Sequence, residues 1–359
     1  GSPPAMIPYF VVAGIFALAA VLFPGPRPNR VAWVSACVLL ILFTGLRHKV
    51  GMDWNNYLIM ADRMSQRSLV EAFDLAEPAY ALLLWGSAQL GLGVYGANLV
   101  GNSIFCVGLF KCASKTPAPW LAVLIALPLL VVVVSMSAAR QTIAIGVLLW
   151  LVAIWRDTGL IKRVLITLLA GSFHFSAIFF LAFVAWDLKL KPTWRISLGL
   201  AMGAGLLGFL VFSGSGGYYD DLYVSGQTQM TYSPGAIQHV MLNGLPALAV
   251  LLPARIRSRM LPFPLLAQMA VLAIALIPLA LVFSQAAGRM TLYLFPVSMF
   301  ALSGAVTLIQ RAEGRALGRT VIAMAMVGVL AMWLNFANSS HAHNPYSNAL
   351  LMDRSELHL

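Results

Sequence analysis

Charged residues are scarce in this sequence. Only 10% of its 359 residues are Asp, Glu, Lys or Arg, while 60% are hydrophobic and the mean hydropathy is +0.85. A soluble domain carries roughly a quarter charged residues, and two soluble domains of this combined length would not bury so much apolar surface. The composition therefore argues against a soluble protein and predicts an all-α polytopic membrane protein.

Cysteine is scarce as well, and groups that bind metals or nucleic acids are not evident. The three cysteines, Cys37, Cys106 and Cys112, lie in or at the ends of apolar runs without metal-ligand spacing, which argues against a disulfide framework. No acidic cluster of the kind that hard cations prefer is found, so we expect no metal and no cofactor. No segment resembles a nucleic-acid-binding module, and no internal repeat is visible.

No segment of the sequence has the pattern of a cleavable signal peptide, so we expect none. The first apolar run has no basic region before it and no small-residue cleavage site after it. Residues Gly1 to Ala5 are expected to be a cloning remnant, with Met6 as the native start. We expect residues 6–359 to form a single transmembrane domain.

Apolar runs predict roughly eleven to thirteen membrane segments at about 20 residues per full span. Residues 79–93 are expected to be re-entrant or interfacial, and residues 164–186 to form two short half-spans that meet at His174. The runs cover residues 7–23, 31–46, 79–110, 118–135, 142–155, 164–186, 196–212, 236–252, 262–285, 289–309 and 320–337.

The distribution of Lys and Arg predicts the orientation of these segments. The outer face then carries an amphipathic segment at 54–76, a loop at 213–235 and the tail at 338–359. Because cytoplasmic basic residues account for much of the net charge of +11, that charge is weak evidence for an acidic ligand. The basic turns assigned to the cytoplasm are 24–30, 111–115, 156–163, 189–195, 255–259 and 311–319.

A polar cluster at residues 46–57 interrupts the apolar pattern. Arg47 ends a predicted span, and Asp53 is followed four residues later by Tyr57, on the same helical face. An ionisable group at such a place is a candidate functional residue. The alternatives are an interfacial arginine that reaches lipid headgroups at position 47 and a helix cap at position 53.

Arg140 and Gln141 stand inside a long and mostly apolar run, after small residues that allow close helix packing. A guanidinium there supplies a positive fork suited to phosphate oxygens. The alternative is an ion pair with an internal carboxylate, for which Asp53 and Glu77 are the candidates. Glu77 precedes Pro78, so it is equally a helix-start acid favoured by the helix dipole.

Other polar residues repeat this pattern. His174 lies between two phenylalanines and two serines, and is either a core residue or a group for proton transfer or hydrogen bonding at a dry site. Arg289, with Tyr293 one turn later, stands at the outer end of another predicted span. Both are candidate ligands of sugar or phosphate.

Two further groups stay open. His341 and His343 are interpreted as flexible tail histidines rather than metal ligands. The run Tyr218-Tyr219-Asp220-Asp221 either stacks on sugars or packs the loop that contains it.

Taken together, these residues resemble the EpsG family of membrane glycan polymerases, which are functional relatives of Wzy-type polymerases. The resemblance extends in order over most of the chain. It rests on Arg47…Val50-Gly51-Met52-Asp53-Trp54…Tyr57, Glu77-Pro78-Ala79-Tyr80, Arg140-Gln141 with Ala144, His174-Phe175-Ser176-Ala177, Gly288-Arg289…Tyr293 and Asn344-Pro345-Tyr346-Ser347.

The resemblance implies a GT-C-like enzyme of the bacterial inner membrane. It would join polyprenyl-diphosphate-linked oligosaccharides on the outer face, for exopolysaccharide, capsule or O-antigen. Its partners would be the lipid-linked oligosaccharide, membrane lipid, and a chain-length regulator and flippase of the same pathway, with no nucleic acid. Two alternatives stay open: an O-antigen-ligase-like or other transferase on the same lipid carrier, and a transporter of the lipid-linked glycan.

Glycosyl transfer from a diphosphate lipid needs cations that stabilise the departing diphosphate. Arg140 and Arg289 are the first candidates and Arg47 the third. The reaction also needs a base for the acceptor hydroxyl, for which Asp53 is the first candidate, ahead of His174 and Glu77. We expect metal-independent, inverting transfer. The remaining candidate ligands of sugar or diphosphate are Gln141, Tyr57, Tyr293 and Tyr346.

Overall fold

All regular secondary structure in the described part of the chain is helical. The computed structural model describes residues 6–188, 191, 193–194, 235–353 and 356–357. The predicted span 196–212, and the loop 213–235 except its last residue, lie outside them. The helices are α1 (Ile7–Leu22), α2 (Arg30–Gly45), α3 (Trp54–Ser65), α4 (Leu69–Ala72), α5 (Pro78–Gln89), α6 (Gly93–Ala113), α7 (Pro119–Ser137), α8 (Ala139–Asp157), α9 (Leu160–Phe173), α10 (Phe175–Trp186), α11 (Ala236–Leu251), α12 (Ala254–Met260), α13 (Pro264–Leu279), α14 (Ser284–Tyr293), α15 (Pro296–Val306) and α16 (Ala312–Phe336).

Several of these helices have the length and apolarity of membrane spans. Helices α6, α7, α8 and α16 each qualify alone, and two bent pairs, α12–α13 and α14–α15, raise the number among the described residues to six. Shorter apolar helices are α1, α2, α10 and α11. The predicted fold class, an all-α polytopic membrane protein, is confirmed.

The segment predicted to be amphipathic contains two helices, α3 and α4. Helix α3 buries one face against α5 and α6, with Trp54, Tyr57 and Met64 on the buried side. A capping box between Ser68 and Glu71 starts α4. These two helices bring the chain from the polar cluster at 46–57 to Glu77.

Two breaks between apolar helices place polar residues inside the bundle. Helix α7 contains a π-helical stretch at Leu127–Val134, and the non-helical backbone of Ala138 (φ −97°, ψ 72°) separates α7 from α8. His174 is extended (φ −154°, ψ 116°) and separates α9 from α10, where the sequence predicts two half-spans to meet. Arg140 therefore lies in the first turn of α8, and His174 lies at a helix junction.

Helices α6 and α8 form the most extensive helix pair of the bundle, and glycines make their approach possible. A Cβ atom on Gly108 would collide with the backbone of Gly146, and one on Gly146 would collide with the backbone of Phe105. Small residues allow this close packing of apolar helices. The pair fixes the start of α8 relative to the core.

The C-terminal tail folds back onto the polar cluster at 46–57. The amide of His48 donates to the Ser347 carbonyl at 3.0 Å, and the amide of Gly51 donates to the Ala342 carbonyl at 2.8 Å. An isolated antiparallel bridge joins Arg47 to Asn348. The tail is thus hydrogen-bonded to the segment that leads to Asp53.

Candidate active site

The carboxylate of Glu77 binds two cationic or polar partners at once. Arg140 Nη1 donates to Glu77 Oε2 at 2.9 Å, and His174 Nδ1 lies 3.0 Å from Glu77 Oε1. The side chains of Arg140 and Glu77 are only 11% and 8% exposed. Of the two carboxylates considered as partners of Arg140, the structure selects Glu77.

Helix geometry explains why this arginine needs a carboxylate. The first turn of a helix is the positive end of its dipole, which disfavours a guanidinium there. Arg140 stands in the first turn of α8, and Glu77, immediately before α5, supplies the compensating charge. A buried pair with good geometry also satisfies the hydrogen-bonding groups of both partners.

The same contacts determine the protonation of Glu77. Burial on its own would raise the pKa of this carboxyl, but the hydrogen bond from His174 and the charge of Arg140 outweigh burial and lower the pKa below its usual 4.5. A carboxylate with a lowered pKa is a weak base. Glu77, one of three predicted catalytic residues, is therefore better suited to holding its two neighbours in place.

One ring nitrogen of His174, Nε2, is available to accept a proton. A carboxylate oxygen only accepts hydrogen bonds, so Nδ1 of His174 carries the proton that faces Glu77. In the neutral ring, Nε2 then has a lone pair. His174 thus remains a candidate base, oriented by Glu77.

Further hydrogen bonds connect Arg140, Gln141 and Arg289. The amide of Arg140 lies 3.4 Å from the hydroxyl of Tyr57, and Gln141 Nε2 donates to the carbonyl of Arg289 at 3.0 Å. These contacts join α3, α8 and α14. Residues predicted from five separate motifs therefore meet in one place.

Tyr293 contacts Ser176, which was not predicted from the sequence as a site residue. Its hydroxyl lies 2.7 Å from the hydroxyl of Ser176, which follows His174 by two residues. A serine two residues after a candidate histidine, inside an apolar run, was the available signal. This contact connects α14 to α10.

Asp53 lies beside this network. Its carboxylate does not cap α3, and no hydrogen bond to it is found within the described ranges. Burial raises the pKa of Asp53 above its usual 3.8, and the positive charges of Arg289 and Arg140 partly oppose that rise. Both guanidinium groups therefore favour the ionised form of this carboxylate.

Arg289 differs from Arg140 in its surroundings. Its side chain is exposed, and in the part of the chain that the structure describes no hydrogen bond or ion pair to its guanidinium is found. The carbonyl of Arg289 accepts a hydrogen bond from Gln141, which fixes the backbone from which the side chain extends. A guanidinium in this state is ready to bind a phosphate in bidentate fashion.

Arg47 has a different role from the one predicted. Its side chain is 1% exposed. The guanidinium donates to the carbonyls of Thr44 at 2.7 Å and Met136 at 2.9 Å, and it lies 3.3 Å from the amide oxygen of Asn98. Through these bonds the guanidinium connects α2, α6 and α7. We therefore assign Arg47 a structural role in place of the predicted diphosphate contact.

Tyr346 is likewise occupied by the fold. Its ring stacks on Phe43 with centroids 4.6 Å apart, and its hydroxyl donates to the Phe43 carbonyl at 2.8 Å. Tyr346 therefore anchors the tail to α2. Because its ring and hydroxyl are used in these contacts, we assign Tyr346 a structural role in place of the predicted contact with sugar.

His343, predicted to be flexible, is buried, and its carbonyl accepts a hydrogen bond from Tyr9.

Asn98 shows a second residue that sequence reasoning missed. It is a buried amide in the apolar helix α6, and its contact with Arg47 explains its position. An amide inside an apolar run is itself a signal of a buried polar partner.

No group of three or more His, Cys, Asp or Glu that fits a metal ion is found among the described residues.

The fold and the site define a polytopic, all-α membrane protein with a cationic and carboxylate-bearing site between its helices. The model of the EpsG family matches residues 30–348, which is most of the chain. The chain belongs to the EpsG family, a family of Wzy-type polysaccharide polymerases. No curated protein and no solved structure matches it.

Proposed function

We propose that this protein polymerises polyprenyl-diphosphate-linked oligosaccharide units by glycosyl transfer on the outer face of the bacterial inner membrane. Family membership supports the role of a glycosyltransferase-like polymerase. The observations that carry the proposal are that Asp53 makes no described hydrogen bond and that the positive charge of Arg289, an exposed guanidinium, opposes the rise in the pKa of Asp53. One group suits an acceptor hydroxyl and the other a diphosphate.

In the proposed reaction, Asp53 takes the proton of the acceptor hydroxyl. The acceptor oxygen attacks the anomeric carbon of the donor, a second lipid-linked glycan, and the bond from that carbon to the diphosphate oxygen breaks. Polyprenyl diphosphate leaves with the electron pair. Arg289, supported by Arg140, stabilises the charge that develops on it.

This arrangement predicts the stereochemistry and the ion requirement. One base and no covalent nucleophile give inversion at the anomeric carbon. The two guanidinium groups supply the positive charge that a divalent ion would otherwise supply, so we propose metal-independent transfer. Retained activity in excess EDTA, with product linkage opposite in configuration to the lipid-linked donor, would support both statements.

The polymerase activity is tested with purified protein and the lipid-linked repeat unit of its own host. We expect a ladder of longer glycans. A single added unit without a ladder would point to a ligase-like transferase, and movement of the glycan across a vesicle membrane without new bonds would point to a transporter. Either result would overturn the proposed function.

The outer-face location is tested by labelling. The tail is hydrogen-bonded to residues 48–51, so both must face the same side. In a variant without native cysteines, Ser340→Cys should react with a membrane-impermeant maleimide added to intact spheroplasts, whereas Gly25→Cys should react only after lysis. The reverse pattern would invert the proposed orientation.

A further inference from the structure

A polar pocket opens where the end of α16 meets the C-terminal tail. Its volume is about 270 Å³, close to the lower end of the usual range for small-molecule sites, about 300 Å³. Three apolar residues, Met6, Leu334 and Ala337, form part of the wall. The remaining lining is polar: Asn335, Asn338, Ser340, His341 and Asn344.

The lining indicates what kind of ligand fits. It contains amide, hydroxyl and imidazole groups, and no Lys, Arg, Asp or Glu is among the described lining residues. Amides and hydroxyls both donate and accept hydrogen bonds, as sugar hydroxyls do. The lining therefore suits an uncharged polar ligand better than a phosphate or a carboxylate.

The His341 ring offers a hydrogen-bond acceptor to such a ligand. His341 Nδ1 lies 2.6 Å from the Asn338 carbonyl, which only accepts, so Nδ1 is the donor and Nε2 of the neutral ring is an acceptor. A sugar hydroxyl donates a hydrogen bond to such a nitrogen.

The pocket is connected to the candidate active site through the tail. Ala342, between His341 and His343, accepts the hydrogen bond from the amide of Gly51, two residues before Asp53. The pocket and the site thus lie along one hydrogen-bonded segment.

We propose that this pocket binds an uncharged sugar unit of the growing glycan and keeps the chain on the enzyme between additions. The inference rests on the proposed function, because it supposes that a glycan is extended at the neighbouring site. It adds a binding site that is separate from the residues around Glu77. Retention of the product lengthens chains by making repeated addition more frequent than release.

Binding tests the pocket independently of polymerisation. The probe is a lipid-free oligosaccharide of two repeat units, released from its carrier, and the measurement is calorimetric titration of the full-length protein in nanodiscs. We expect Asn338→Leu and His341→Leu each to weaken binding about fivefold, as the loss of one hydrogen bond predicts. The control Gln310→Leu, at an exposed amide two residues before α16 and outside the pocket, should bind like the wild type.

Polymerisation supplies the second measurement. The pocket variants should shorten the most abundant chain length more than they slow the first addition, while Gln310→Leu should change neither. Equal binding by the pocket variants and the control, or loss of oligosaccharide binding in Arg289→Ala alone, would overturn the pocket assignment. Pocket-dependent binding without any glycan ladder from the wild type would contradict the proposed function and leave the sugar site standing.

Discussion

Arg140 in the first turn of α8 and Glu77 immediately before α5 form a buried ion pair of 2.9 Å across 63 residues of sequence. The second oxygen of the same carboxylate faces His174. Glu77 therefore fixes one candidate phosphate ligand and one candidate base relative to each other. Variants of Glu77, Asp53 and Arg289 separate this positioning role from the chemistry of the neighbouring residues.

Glu77→Gln should destabilise the protein and reduce elongation. It leaves Arg140 buried without its counter-charge, which costs about 3 kcal/mol in comparable pairs. Denaturant unfolding in detergent measures the loss, and Glu313→Gln, at an exposed acid in the first turn of α16, is the matched control. Equal stability of the two variants would show that the pair contributes nothing.

The contribution of Glu77 should also depend on pH with a defined sign. Its folded pKa lies below 4.5, so the ionised form stabilises the fold above about pH 4.5. That contribution disappears as pH falls through the folded pKa. The stability difference between wild type and Glu77→Gln should therefore be constant above pH 5 and shrink below pH 4.5, and a difference that grows on acidification would contradict the assignment.

Asp53→Asn should abolish elongation without unfolding the protein. The amide is nearly isosteric but does not accept the proton of a hydroxyl, so kcat/KM should fall about 100-fold or more. Asp62→Asn, on the exposed face of the same helix α3, is the control and should keep its activity. Chain lengths near normal in Asp53→Asn would remove Asp53 from the site and direct attention to His174.

The pH profile provides a second check on Asp53. Because burial raises its pKa above 3.8, the carboxylate is lost at a higher pH than for an exposed aspartate. We expect the acidic limb of kcat/KM to lie above pH 3.8 in the wild type, and to persist in Asp53→Glu. An unchanged limb in Asp53→Asn with residual activity would assign the limb to another group.

Arg289→Ala should reduce kcat more than it raises KM. The proposed contact strengthens as charge develops on the leaving diphosphate, so its loss affects the transition state most. We expect a fall in kcat of about 100-fold, and partial recovery with Arg289→Lys. Arg311→Ala, an exposed arginine before α16, serves as control; a purely KM effect at position 289 would indicate ground-state binding only.

Gly51→Ala should misplace Asp53. Gly51 has φ +108°, and a Cβ there would collide with the carbonyl of Met136. Backbone strain and overpacking together cost about 2 to 5 kcal/mol. Gly25→Ala has open space around the added atom and should be neutral. Thermal unfolding and elongation assays of the two variants measure the difference.

The membrane class and the polar residues of interest can be predicted from the sequence alone. Hydropathy and Lys/Arg bias are local properties, so the membrane class and the helix break at His174 followed directly from composition and order. The family motifs identify Arg140, Glu77 and Arg289 because each motif is a short run of residues and is therefore also a local signal.

The roles of those residues depend on how the helices pack in three dimensions. The choice of Glu77 rather than Asp53 as the partner of Arg140 depends on two helices that approach across 63 residues. The burial of Arg47 depends on a carbonyl 89 positions away. A charged side chain gives the same sequence signal whether it meets a ligand or a buried acceptor, because that outcome is set by the packing of distant helices.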